Sequence, residues 1–188
     1  MDNKELIFST ALRLFSEKGY EAVGVQQIAQ EANITKPTLY HYYQSKKGLL
    51  QEILSNLGNR YLETLHKAAD YSHDVMNTLK RVATAQWEFY NNQKEFYTFY
   101  KSLCHMPLES ESFACVKEYL EQEYKIFRDL FYQVSLDHGN IRERYIVYAA
   151  TFMGMLATYV QVSATGIEYK NEDLLHRIVH QYMYGIFS

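Results

Sequence analysis

Apolar residues recur along this chain at intervals of three and four, the period of an amphipathic helix, and no stretch alternates with the period of two that marks a half-buried strand. The first stripe is Ile7, Ala11, Leu14 and Phe15. Asp2 and Glu5 are spaced as a capping box at its start, Gly19 ends it, and Tyr20 is placed to fold back on Phe15. A second, shorter stripe of Val25, Ile28, Ala29 and Ala32 follows Gly24 as cap and leaves Gln26, Gln27, Gln30 and Glu31 on the polar side. Asn33-Ile34-Thr35 makes a three-residue corner, since Asn33 tolerates the left-handed conformation that ends a helix. Thr35 then caps a third helix, Pro37 falls in its first turn, where a missing N–H costs nothing, and Leu39 is its inward residue.

Ser45 caps a longer helix carrying Leu49, Leu50, Ile53, Leu54, Leu57, Tyr61, Leu62 and Leu65, expected to run to about Asp70. Further helices are predicted near 75–91, 94–106, 111–136, 142–165 and 172–187, with Asn140 and Glu143 as a second capping box and Asn171 opening the last. The fold class is all-α, with about nine helices. A three-helix head spans residues 1–45 and a helical body spans 46–188, in which 46–70 is the connecting helix.

The third helix buries one residue and displays Lys36, Thr38, Tyr40, His41 and Tyr42, a composition suited to contact rather than to core. Between Ala32 and Gln51 there is no Asp or Glu, while Lys36, Lys46 and Lys47 are present. Cations at a helix N-terminus oppose the macrodipole, and an outside phosphate relieves that conflict. Two short helices around a tight corner, beside an acid-free basic run, have the layout of a DNA-reading helix-turn-helix. From about Phe8 to Leu54 the chain resembles the TetR family of bacterial transcriptional regulators. The resemblance is carried by Phe15, Gly19-Tyr20, Ile28-Ala29, Ala32, Thr38-Leu39-Tyr40, Tyr42-Tyr43, Ser45-Lys46 and Leu49-Leu50. Three positions depart from the family pattern: Asn33 stands where Gly is usual, Pro37 where Gly or Ala is common, and Gly24 where Ser or Thr is the usual cap.

The resemblance implies a homodimer reading a palindromic duplex operator, with a C-terminal domain that senses a small-molecule effector. The DNA-binding set is then Gln26, Thr35, Lys36, Pro37, Thr38, Tyr40, His41, Tyr42, Lys46 and Lys47. Within it Lys36, Thr38 and His41 are assigned to base edges, Pro37 to a thymine methyl, and Thr35, Tyr40, Tyr42, Lys46 and Lys47 to phosphates.

Charge changes the picture only through its distribution. The net charge is −3, but residues 1–47 carry six Lys/Arg against five Asp/Glu, whereas 48–188 carry 13 against 17. Two cysteines, Cys104 and Cys115, read as reduced thiols, and the charged start Asp2-Asn3-Lys4-Glu5 does not resemble a secretory signal, so a cytoplasmic location is expected. Tyr145 to Ile167 has no charged residue, but Tyr148, Thr151, Thr158, Gln161, Ser163 and Thr165 make it too polar for a membrane span.

The body is rich in aromatic residues, with 18 tyrosines in the whole chain. Rings at helical spacing most often form core, yet each phenol needs a polar partner, so a cavity lined by rings and hydroxyls suits a mostly apolar ligand. Trp87, Tyr90, Phe96, Tyr97, Tyr100, Tyr119, Phe127, Phe131 and Phe152 are the candidate ligand-binding residues. Ala150, Gly154 and Ala157 form a small-residue stripe which, with Leu175, Ile178, Val179, Tyr182 and Ile186, is the expected dimer face.

No phosphate loop, nucleophile motif or acid/base pair is present, so no catalytic residue, cofactor or metal is assigned. Glu63-Thr64-Leu65-His66 occurs once where a di-iron bundle needs a repeat, and Asp173, His176 and His180 share a face without an identifiable fourth ligand. The alternative to a regulator is a helical small-molecule-binding protein without DNA-binding activity.

Overall fold

Helices account for the regular structure of the computed structural model, which describes residues 2–165 and 172–185. In chain order these are α1 (Asn3–Lys18), α2 (Val25–Glu31), α3 (Lys36–Tyr43), α4 (Lys46–Ile53), a π-helical turn (Leu54–Gly58), α5 (Asn59–Ala68), α6 (Val75–Asn92), α7 (Lys94–Leu103), α8 (Glu111–Asp137), a 3-10 turn (Gly139–Ile141), α9 (Tyr145–Ala164) and α10 (Glu172–Tyr184). They form two compact units, one of residues 1–60 and 93–120, the other of residues 61–92 and 121–188.

In the first unit Ile7, Ala11, Leu14 and Phe15 of α1 are buried together with Ile28 and Ala29 of α2, Leu39 of α3 and Leu49, Leu50 and Ile53 of α4. These are the apolar stripes read from the sequence. Helix α7 joins them: Phe96, Phe99 and Tyr100 are buried, and the Phe99 ring stacks on Phe15 with centroids 5.5 Å apart. Gly58 meets the first part of α8, where a β-carbon would lie 2.9 Å from the Tyr119 ring. Gly48 is tighter, because a β-carbon there would sit 2.2 Å from the Tyr43 carbonyl oxygen.

In the second unit an aromatic core joins α8, α9 and α10. Phe152 lies 6.0 Å from Phe127, 5.8 Å from Phe131 and 5.0 Å from Tyr182. Tyr61 packs on Phe89 at 5.0 Å and donates its hydroxyl to the fully buried Glu123 at 2.8 Å. Arg81 closes the C-terminal end of α5 by donating to the carbonyls of Ala68 and Asp70. Asp137 at the end of α8 accepts from Tyr71 at 2.9 Å and is hydrogen-bonded to His73 at 2.6 Å, which pins the segment before α6.

Three local expectations are corrected. Asp2 stands at the N-cap of α1, but its side chain makes no capping bond. The Asn140–Glu143 box does not open a helix: that stretch is a 3-10 turn and further turn residues, and α9 starts at Tyr145. The helix expected over 46–70 is widened at Leu54–Gly58 into a π turn and ends at Ala68. Asn171 and Ile186 lie outside the described residues.

Candidate nucleic-acid interface

The head builds its exposed helix by local rules. The backbone turns at Asn33 with φ +50°, the left-handed conformation that asparagine tolerates. The Ile34 N–H donates to the Ala29 carbonyl at 2.9 Å, which fixes the corner. The Thr35 hydroxyl accepts from the Thr38 N–H at 3.3 Å, and Pro37 occupies the first turn of α3. The two threonine hydroxyls also share a hydrogen bond of 2.8 Å, so Thr38 is held by its own cap. Leu39 and Tyr43 point inward, the Tyr43 hydroxyl donating to the Lys4 carbonyl at 2.8 Å. Burial pushes that phenol up to about 12, so it remains a donor. Helix α3 ends at Gln44, whose φ of +60° is unusual for a residue with a side chain.

What remains outside is Lys36, Pro37, Tyr40 and His41 on α3, Thr35 before it, Gln26 on α2 and Lys47 on α4, all exposed, with Tyr42 half-buried beside the His41 ring at 5.2 Å. Ser45 accepts from the Gly48 N–H at 2.9 Å, which opens α4 next to this surface.

Lys46 behaves differently from its neighbour. Its ammonium donates to the carbonyls of Tyr20 at 3.0 Å and Val23 at 3.1 Å and lies 4.1 Å from the centre of the Tyr20 ring. Two of its three donors are spent inside the head, so its placement near the start of α4 is compensated by the chain itself. Sequence reasoning did not find this tie, because the partners are backbone oxygens and carry no residue signal.

The rings proposed for ligand binding are divided. Phe96, Tyr97, Tyr100 and Tyr119 belong to the first unit, and Trp87, Tyr90, Phe127, Phe131 and Phe152 to the second. In the second unit Phe131 lines a cavity of about 180 Å³ with Leu79, Val134, Tyr148 and Tyr182, and His138 and Asn140 also line it. A larger hollow of about 850 Å³ involves Leu62, His66, Tyr71, Ile126 and Leu130.

Of the expected dimer face, Leu175 and Val179 are buried within the second unit and are unavailable to a partner. Ala150 and Gly154 are exposed, Ala157 is half-buried, and Gly154, Ile178 and Tyr182 share a hollow of about 730 Å³ with Met155, Thr158 and Val162. Helix α9 is long and apolar enough to cross a membrane by length and composition alone. Its exposed side, however, carries Thr151, Thr158 and Gln161. His176 and His180 lie 6.1 Å apart by ring centroids, the Asp173 side chain is outside the described residues, and no group of three metal-type side chains occurs among those described. Cys104 and Cys115 are free thiols, both half-buried.

A capped corner between two short helices, with the second displayed, defines a helix-turn-helix protein. Residues 7–53 match the family model described as bacterial regulatory proteins, tetR family. The HTH-type transcriptional regulator YerO of Bacillus subtilis is 28% identical over 171 residues, covering 86% of this chain and 56% of that protein. IcaR of Staphylococcus epidermidis, named as the negative regulator of a biofilm operon, is 31% identical over 72 residues, covering 38% and 39%. The chain thus spans little more than half the length of the curated relatives it matches, or less. The crystal structure of FadR from Bacillus subtilis in complex with stearoyl-CoA shares the fold at a TM-score of 0.76 and 17% identity, over 97% of this chain and 98% of that one. Residues 7–53 of the chain thus resemble the DNA-binding region of the TetR family of bacterial regulatory proteins, and the likeness to YerO extends over most of the chain.

Proposed function

We propose that the protein is a ligand-responsive DNA-binding regulator, a cytoplasmic repressor that holds a palindromic operator as a homodimer and is released by a small, mostly apolar or aromatic effector. The observation that carries the reading is α3 itself: a helix capped at both ends that buries Leu39 and Tyr43 and presents Lys36, Pro37, Tyr40 and His41 to solvent. Such a helix fits the major groove with its N-terminal residues against base edges. Lys36 and His41 supply donors, Pro37 an apolar face for a thymine methyl, and Thr35, Tyr40, Tyr42 and Lys47 phosphate contacts. Lys46 retains one free donor for the same purpose.

Repression is supported by the name of IcaR as a negative regulator, and an apolar effector by the stearoyl-CoA held in the related FadR structure. Dimerisation through α9 and α10 is supported by the exposed hollow around Gly154, Ile178 and Tyr182. The test is selection of bound sequences from a random duplex pool at a fixed salt concentration, with Tyr40→Ala/Lys47→Ala as control. The expected result is one palindrome, lost in the control. Recovery of no preferred duplex, with binding of apolar ligands intact, establishes the carrier reading instead.

A further inference from the structure

The turn between α1 and α2 is tied at two points to the start of α8. The Tyr20 hydroxyl donates to the Glu111 carboxylate at 2.7 Å, and the fully buried Ser112 hydroxyl donates to the Glu21 carboxylate at 2.9 Å. All four residues belong to the first unit. From the other side the Lys46 ammonium holds the Tyr20 and Val23 carbonyls, and the Tyr20 ring rests on Phe15 at 5.2 Å. The Val23 N–H completes the turn by donating to the Tyr20 carbonyl at 3.3 Å, one residue before Gly24 caps α2.

We infer that these two reciprocal hydrogen bonds form a clasp that positions the reading helices, with Tyr20 and Ser112 as positioning residues for operator binding. The orientation of α2, and through the Asn33 corner of α3, starts from this turn. A turn held from both sides presents α3 in one orientation and so loses little conformational freedom on binding. Both acceptors are carboxylates, and hydrogen bonds to charged groups are about twice as strong as neutral ones. Sequence spacing cannot reveal the pairing, since the partners are 91 residues apart.

This inference rests on the DNA-binding reading, and the experiment separates the two. Operator affinity, its salt slope, the thermal midpoint and amide exchange at Val23, Gln27 and Ile28 are measured for the full chain, for Tyr20→Phe and Ser112→Ala, and for the conservative Ser112→Thr and Glu111→Gln. Each disruptive variant is expected to lose about tenfold in operator affinity, equivalent to about 1.4 kcal/mol. The salt slope stays unchanged and exchange at the three amides accelerates, while Ser112→Thr and Glu111→Gln stay within about threefold of the parent. If Tyr20→Phe does not fold, Glu111→Ala at the exposed partner carries the same comparison. Unchanged affinity and exchange overturn the clasp, as does a loss matched by the fall in folded fraction at the assay temperature. Should the parent select no operator, the DNA-binding reading fails, and exchange at the turn still decides whether the clasp exists.

Discussion

Lys46 and Lys47 are adjacent, equally charged and oppositely employed. The first ties the α1–α2 turn, while the second stands exposed at the N-terminal end of α4. Lys46→Met is therefore expected to lower stability by about 2 kcal/mol, the scale of hydrogen bonds to a charged group, in urea unfolding of the free protein. Lys47→Ala should leave stability unchanged and lower the salt slope of operator binding by about one. Equal effects of the two on stability refute the division of labour. Two backbone positions make sharper tests. A methyl at Gly48 would overlap the Tyr43 carbonyl, which has no flexible end to move aside, so Gly48→Ala should cost on the order of 3 kcal/mol. Gln44, at φ +60°, is the reverse case, and Gln44→Gly should stabilise by about 1 kcal/mol. The Glu31 carboxyl is held below its ordinary value by the hydrogen bond from Arg13. A carboxyl depressed on folding adds stability above its unfolded value and loses it as pH falls through the folded one. The urea midpoint should decline as pH drops below 4.5, and less steeply in Glu31→Gln.

At the scale of elements, the sequence was legible wherever structure is decided within a few residues. The Asn33 corner, the Thr35 and Ser45 caps, the place of Pro37 and the Phe15–Tyr20 contact all depend on neighbours within five positions, and the structure contains each of them. Helices α6 to α8 likewise lie close to their predicted spans. Misreadings arose where a local pattern had a competitor. Asn140 and Glu143 carry a capping spacing, yet the chain there takes a 3-10 turn and α9 begins only after Arg144. The π turn at Leu54–Gly58 has no compositional mark, and its last residue, Gly58, packs closely against Tyr119, 61 positions away. The Tyr20–Glu111 and Glu21–Ser112 bonds were unreadable for the same reason.

For the whole molecule, burial decides which apolar residues are still free to meet a partner. Leu175 and Val179 satisfy the helical period of α10 but spend it inside the chain, whereas Gly154, Ile178 and Tyr182 line an open hollow. Periodicity identifies an apolar stripe and cannot say whether its own chain or a second copy covers it. A β-carbon at Gly154 meets no atom within 4 Å, so Gly154→Arg should leave the folded chain intact while converting dimer to monomer in sedimentation and abolishing cooperative operator binding. A dimer that survives this change excludes the α9 surface as the interface.

The central claim, a two-fold regulator reading DNA with α3, is tested most directly by hydroxyl-radical footprinting on the selected duplex. The prediction is two equivalent protected patches about 34–36 Å apart, or a turn multiple of that spacing, placed symmetrically about the dyad of the sequence. A single patch, or uniform weak protection without symmetry, contradicts it.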